Sequence, residues 1–219
     1  VAFRDLLMTA PQGLSKVIID FSDRVLISTQ VGPVFAAAYN SVYDVSAKTN
    51  IFSQLFVAYS YPRLCRGEGL KAFVNIGLAI SILGALLAIG MIPIGEGLIK
   101  FYLGQQYAEF AALVPVMFLL ASLYSLAFFS QGALRAQGMF EVLAFHFFAC
   151  ALCGVGLMLG LYFFYGFYGV VFSLFVLKAP GVLGYFHLRY KTNFGVGFDC
   201  LLCAYIFLFS VFVLLFLWG

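Results

Sequence analysis

The chain has 219 residues, of which 64% are hydrophobic and 10% charged, with a mean hydropathy of +1.05 and a formal net charge of +3. Hydropathy this high lies outside the range of soluble domains and marks an integral membrane protein, and so small a net charge argues against nucleic acid as a partner. Only helices and closed barrels satisfy the backbone in lipid, and long apolar runs without period-two alternation select an all-α helix bundle.

Crossing ~30 Å of hydrocarbon takes about 20 helical residues. The first residue is Val, and no charged leader with a cleavage site precedes the first apolar run, so the chain is expected to be a fragment whose start lies upstream. A first helix is predicted from about Leu6 to Gln30, broken by Val31-Gly32-Pro33. Pro33 opens a second helix reaching Tyr61, because a first-turn proline sacrifices no intrahelical bond. Arg63, Arg66 and Lys71, with Gly67 and Gly69, form a basic loop before a third, charge-free span from Ala72 to Gly95. Pro93, Gly95, Glu96, Gly97, Lys100 and Gly104 predict a second loop, holding a short interfacial helix over GLIKFYL.

A fourth span runs from Phe110 to Leu134 and ends at Arg135. The following run, Val142 to Leu177, lacks Asp, Glu, Lys and Arg; as one helix it would be about 54 Å long, so it must fold back. The turn is expected in Tyr162–Gly169, YFFYGFYG, whose aromatics suit the membrane interface. A sixth span ends near His187, Arg189 and Lys191 mark a loop with Gly195 and Gly197, and a seventh runs from about Cys200 to Trp218. The expected architecture is a polytopic membrane bundle of about seven transmembrane helices, with residues 1–190 as a six-helix unit and 191–219 as an additional C-terminal helix. Arg4, Arg63, Arg66, Lys71, Arg135, Arg189 and Lys191 fall on one side and Lys100 alone on the other, which places the N-terminal side in the cytoplasm.

Polarity inside the spans is concentrated in the first two helices. At ~100° per residue, Lys16, Asp20, Asp23 and Arg24 share one stripe, widened by Gln12; Asn40, Asp44, Lys48 and Gln54 share another. A charge near the bilayer centre costs about 2.5–3.5 kcal/mol, so each stripe must face a wet cavity or a partner. Two pairings are available within single helices, Asp20 with Arg24 and Asp44 with Lys48, both i, i+4 with the acid first. Asp20, Asp23 and Asp44 are also candidates to couple a proton or sodium gradient, since burial moves a carboxyl toward exchange. Arg135 marks the cytoplasmic end of its helix, with Gln131 one turn before it, and Lys178, just before Pro180, either snorkels or faces the cavity. His146 and His187 read as structural residues, and the pairs Cys150-Cys153 and Cys200-Cys203 as small hydrophobes in apolar runs. No metal, cofactor or catalytic cluster is expected, and the chain is not read as an enzyme.

An ordered set of short signatures spans residues from about 5 to 190: Asp23-Arg24, the turn Val31-Gly32-Pro33, Ala38-Tyr39, Tyr61-Pro62-Arg63-Leu64, Leu103-Gly104-Gln105-Gln106-Tyr107 and Arg135-Ala136-Gln137-Gly138. In this order the chain resembles the polysaccharide flippases of the multidrug/oligosaccharidyl-lipid/polysaccharide exporter superfamily, which includes the O-antigen transporters of lipopolysaccharide biosynthesis. The resemblance implies the C-terminal half of a two-bundle transporter in the cytoplasmic (inner) membrane, partnered by a missing N-terminal half and by membrane lipid. Its substrate would be a polyprenyl-pyrophosphate-linked oligosaccharide moved by alternating access, with Lys16, Asp20, Asp23, Arg24, Asn40, Asp44, Lys48, Arg135 and Lys178 lining the cavity. In that scheme Arg24, Lys48 and Lys16 neutralise the pyrophosphate. The alternatives are a multidrug or organic-cation exporter of the same superfamily, which would favour an acid-dominated cavity, a membrane-embedded lipid-processing enzyme, and a non-transporting structural membrane protein.

Overall fold

The computed structural model describes residues 2–191 and 205–206, and all described secondary structure is helical. Helix α1, Ala2–Leu26, widens into a π-helical turn at Ile27–Val31. There Gly32, at φ 119°, takes a backbone conformation that a side chain would strain, and Pro33 starts α2 at its first position, where its missing N–H costs nothing. The expected break is therefore real. Beyond it lie α2 (Pro33–Lys48), α3 (Ile51–Cys65), α4 (Leu70–Tyr102), a 3-10 turn (Gln105–Phe110), α5 (Leu113–Ala136), α6 (Phe140–Tyr165), α7 (Phe167–Leu177) and α8 (Pro180–Lys191).

Three expectations need correction. The second helix is not continuous from Pro33 to Tyr61. At Thr49-Asn50 the backbone switches to i→i+3 bonds, Thr49 N–H to Ser46 O at 3.1 Å and Asn50 N–H to Ala47 O at 3.0 Å, while the Thr49 hydroxyl donates to Ser46 O at 2.6 Å. Hydroxyl side chains that compete for the backbone interrupt helices in this way. The loop expected over Pro93–Gly104 is helix as far as Tyr102. Pro93 forfeits one bond inside a 33-residue helix, and Glu96 and Lys100 pair at 2.5 Å one turn apart. Gly95 is a packing glycine: a methyl group there would come within 3.0 Å of the Ala111 carbonyl and 3.4 Å of Val114. The sixth span, finally, is interrupted at Lys178-Ala179, where Pro180 begins a new helix. The fold-back inside YFFYGFYG is as expected, at Gly166 with φ 59°. The seventh span and the unit 191–219 lie outside the described residues except for Lys191, which ends α8, and Tyr205 and Ile206, which are helical.

Helix α5 is the centre of the bundle, buried along nearly its whole length, with α2, α3, α4 and α8 around it. Lipid removes the hydrophobic drive between helices, so small residues and hydrogen bonds must bring them together. Gly77 of α4 lies beneath the Phe129 ring, Gly181 of α8 against the Ala127 backbone, and Ser53 of α3 shares a 2.6 Å hydrogen bond with Ser125. Helix α1 packs on α6, and α6 on α7. Among the described residues four helical stretches are long and apolar enough to cross a membrane: Leu70–Tyr102, Leu113–Ala136, Phe140–Tyr165 and Phe167–Leu188. They coincide with the third to sixth expected spans. Helices α2 and α3, at 16 and 15 residues, are each shorter than a span.

Candidate functional site

Helix α1 rests on α6 and turns its polar stripe toward α2, which rests on α5; charged side chains bridge the interval. Asp23 is fully buried and accepts a short hydrogen bond from the Tyr39 hydroxyl of α2 and a 2.9 Å bond from the Arg24 backbone N–H. The Arg24 guanidinium reaches Asp44 at 3.0 Å and lies 4.5 Å from the centre of the Tyr43 ring. From the α7–α8 break, Lys178 enters the same interval with only 2% of its surface exposed. Its ammonium spends its three donors on the Ile19 carbonyl at 2.8 Å, the Tyr124 hydroxyl at 3.2 Å and the Asp20 carboxylate at 3.5 Å. It also sits 4.6 Å from the Tyr124 ring centre. A proline-broken helix positions this lysine: the break turns its side chain toward α1.

The i, i+4 pairings available within α1 and α2 do not form. Asp20 pairs with Lys178 and Arg24 with Asp44, each across two elements. Asp20, Asp23 and Asp44 thus face Arg24 and Lys178, leaving one formal negative charge in the cluster. Its hydrogen-bonding capacity is not exhausted, since Arg24 Nε and Asn40 Oδ1 are buried with no partner among the described residues. Such groups are rare in a closed core and mark a place where water or a ligand can bind.

Three hollows adjoin the cluster. A groove of about 600 Å³ between α1, α3 and α5 is lined by Lys16, Gln54, Tyr61, Gln131 and Arg135 among others, with no carboxylate among its described lining residues. A smaller cavity of about 100 Å³, holding Tyr43, Asn50, Tyr124 and Lys178, shares Gln54 and Phe128 with that groove and so connects it to the charge cluster. A separate cleft of about 500 Å³ holds Ser41, Asp44, Lys48 and Tyr102. The stripe predicted on the second helix is therefore divided. Gln54 faces the groove that holds Lys16, whereas Asp44 and Lys48 face the other cleft. The break at Thr49-Asn50 accounts for the division, since it leaves Asp44 and Lys48 on α2 and puts Gln54 on the separate helix α3.

Of the nine residues singled out from the sequence, Asp20, Asp23, Arg24, Asp44 and Lys178 form the cluster, Lys16 and Arg135 line the groove, Lys48 lines the cleft, and Asn40 is half-buried on α2. Tyr43 and Tyr124 had not been identified, although one signal was present. Tyr124, Phe128, Gln131 and Arg135 recur at i, i+4, i+7 and i+11 in an otherwise apolar helix, and all four line these connected hollows. Among the described residues no group of three or more His, Cys, Asp or Glu could hold a metal ion.

The fold and the site together define a class, a membrane protein whose described residues are all-helical, with four apolar spans among them and a charge cluster between the N-terminal helices. No protein-family model, curated protein or solved structure matches the chain.

Proposed function

We propose that this chain is half of a transporter that flips a polyprenyl-pyrophosphate-linked oligosaccharide across the cytoplasmic membrane by alternating access. The observation that carries the proposal is the groove between α1, α3 and α5, where Lys16 and Arg135 stand among amide and hydroxyl side chains with no carboxylate beside them among the described residues. Its volume is in the range of small-molecule sites, about 300–1,000 Å³. Lys and Arg are suited to phosphate oxygens, the guanidinium in bidentate fashion, and Gln54, Gln131 and Tyr61 can exchange hydrogen bonds with sugar hydroxyls. The paired cluster beside the groove supplies the moving part. A pyrophosphate that competes for Arg24 releases Asp44, and with it the tie between α1 and α2; the helices can then rock around a site near the midplane. Asp20 and Asp44, whose partners lie on other elements, are the carboxylates placed to couple this motion to a proton or sodium gradient.

A second reading, export of organic cations, is favoured by the three carboxylates and the two tyrosine rings, since such surroundings attract cations. Those rings already hold Arg24 and Lys178, however, so an incoming cation would find its places filled.

Complementation tests the proposal. In a strain lacking its own flippase, the intact transporter should restore surface polysaccharide, and Arg24→Ala, Lys16→Ala or Arg135→Ala should abolish it at normal protein level. Full export by all three variants would remove these cations from the mechanism.

A further inference from the structure

His146 of α6 and His187 of α8 stand edge to face, ring centres 5.9 Å apart at an interplanar angle of 73°. Nδ1 of His146 and Nε2 of His187 are buried, and neither has a hydrogen-bond partner among the described residues. Buried polar atoms are nearly always bonded, so two adjacent rings that each keep a bare nitrogen ask for an explanation. A neutral imidazole nitrogen offers a lone pair and is the commonest metal ligand in proteins. With metal–nitrogen bonds of about 2.0–2.1 Å and the ring centre roughly 1 Å further back, two imidazoles on one ion have centres about 5–6.5 Å apart, from tetrahedral to linear geometry. The observed separation falls inside that interval. Both rings come from packed helices rather than loops, which holds their spacing.

We propose that His146 and His187 form a two-imidazole site for a divalent transition-metal ion of the class that prefers nitrogen ligands, with zinc the simplest member. No third His, Cys, Asp or Glu joins them among the described residues, and in the proposed site water or an external ligand would complete the coordination. The site is separate from the charge cluster and the groove, and an ion in it ties α6 to α8.

The test is calorimetric titration of Zn2+ into the purified full chain in detergent, after chelator treatment and without a polyhistidine tag. One ion per chain should bind. His146→Gln and His187→Gln should each weaken it at least about tenfold, as loss of a ligand requires, while Cys150→Ser, one turn from His146, should leave it unchanged. Should a histidine variant aggregate, wild-type protein decides the matter: bound Zn2+ should protect both rings from diethylpyrocarbonate, read by mass spectrometry. Absence of saturable binding, binding indifferent to either histidine, or failure of protection would overturn the site.

Discussion

The ammonium of Lys178 is the residue on which the cluster depends. Removing one partner of a buried ion pair strands the other, at a cost of about 3–5 kcal/mol, whereas replacing both with apolar groups is often close to neutral. Lys178→Met should therefore lower the stability of the detergent-solubilised protein by that amount, and the double variant Lys178→Met, Asp20→Leu should recover most of it in thermal unfolding. Equal loss in both would mean that Asp20 and Lys178 are not energetically coupled. Tyr39→Phe tests the neighbouring contact. It leaves Asp23 buried without its hydroxyl donor, and hydrogen bonds to charged groups contribute about 1.5–3 kcal/mol; an unchanged unfolding midpoint would refute the role of that bond. At this scale the sequence showed which charges share a helix face and not what stands opposite, because helical spacing carries no information about the neighbouring element. Asp20 and Arg24 could on spacing alone have satisfied each other, while their partners came from residues 178 and 44.

Between elements, close approach is governed by glycine. A methyl group on Gly77 would lie 2.3 Å from the Phe129 ring, so Gly77→Ala must push α4 away from α5, with an overpacking cost of about 1–3 kcal/mol. Gly90, on the same helix, has nothing within 4 Å of such a group, and Gly90→Ala should instead gain about 0.5–1 kcal/mol through helix propensity. Unfolding midpoints that move in the same direction for both would contradict the α4–α5 packing. The contrast also explains which boundaries could be read in advance. Gly32-Pro33 and the YFFYGFYG turn were legible because backbone chemistry or sheer length required a break. The glycines and proline near residue 95 looked like a loop, yet Gly95 serves helix contact, and sequence does not separate a glycine that turns from a glycine that packs. The Thr49 break rests on one hydroxyl bonding back to Ser46, too weak a pattern to notice in an otherwise helical stretch.

For the molecule as a whole, composition alone gave the all-helical membrane class, and the four apolar spans among the described residues agree with it. The distribution of Lys and Arg gives a topology that can be tested with the corrected boundaries. A cysteine introduced at Gln105, in the turn after α4, should react with an impermeant maleimide added outside intact cells, and one at Glu68, in the turn before α4, should not; the reverse would invert the orientation. The charge stripes told where a site would be, but the division into a cationic groove and a separate cleft depends on how α1 is held by α6 and α2 by α5, contacts of long sequence separation that no local pattern reports. The central claim is that this groove handles the pyrophosphate of a lipid-linked sugar. The intact transporter, reconstituted in proteoliposomes, should flip a fluorescent polyprenyl-pyrophosphate oligosaccharide. The double variant Lys16→Gln, Arg135→Gln should slow that flipping at least about tenfold, the loss of two charge-assisted contacts, with its unfolding midpoint unchanged. Flipping by the double variant at the wild-type rate, or no flipping by the wild type, would contradict it.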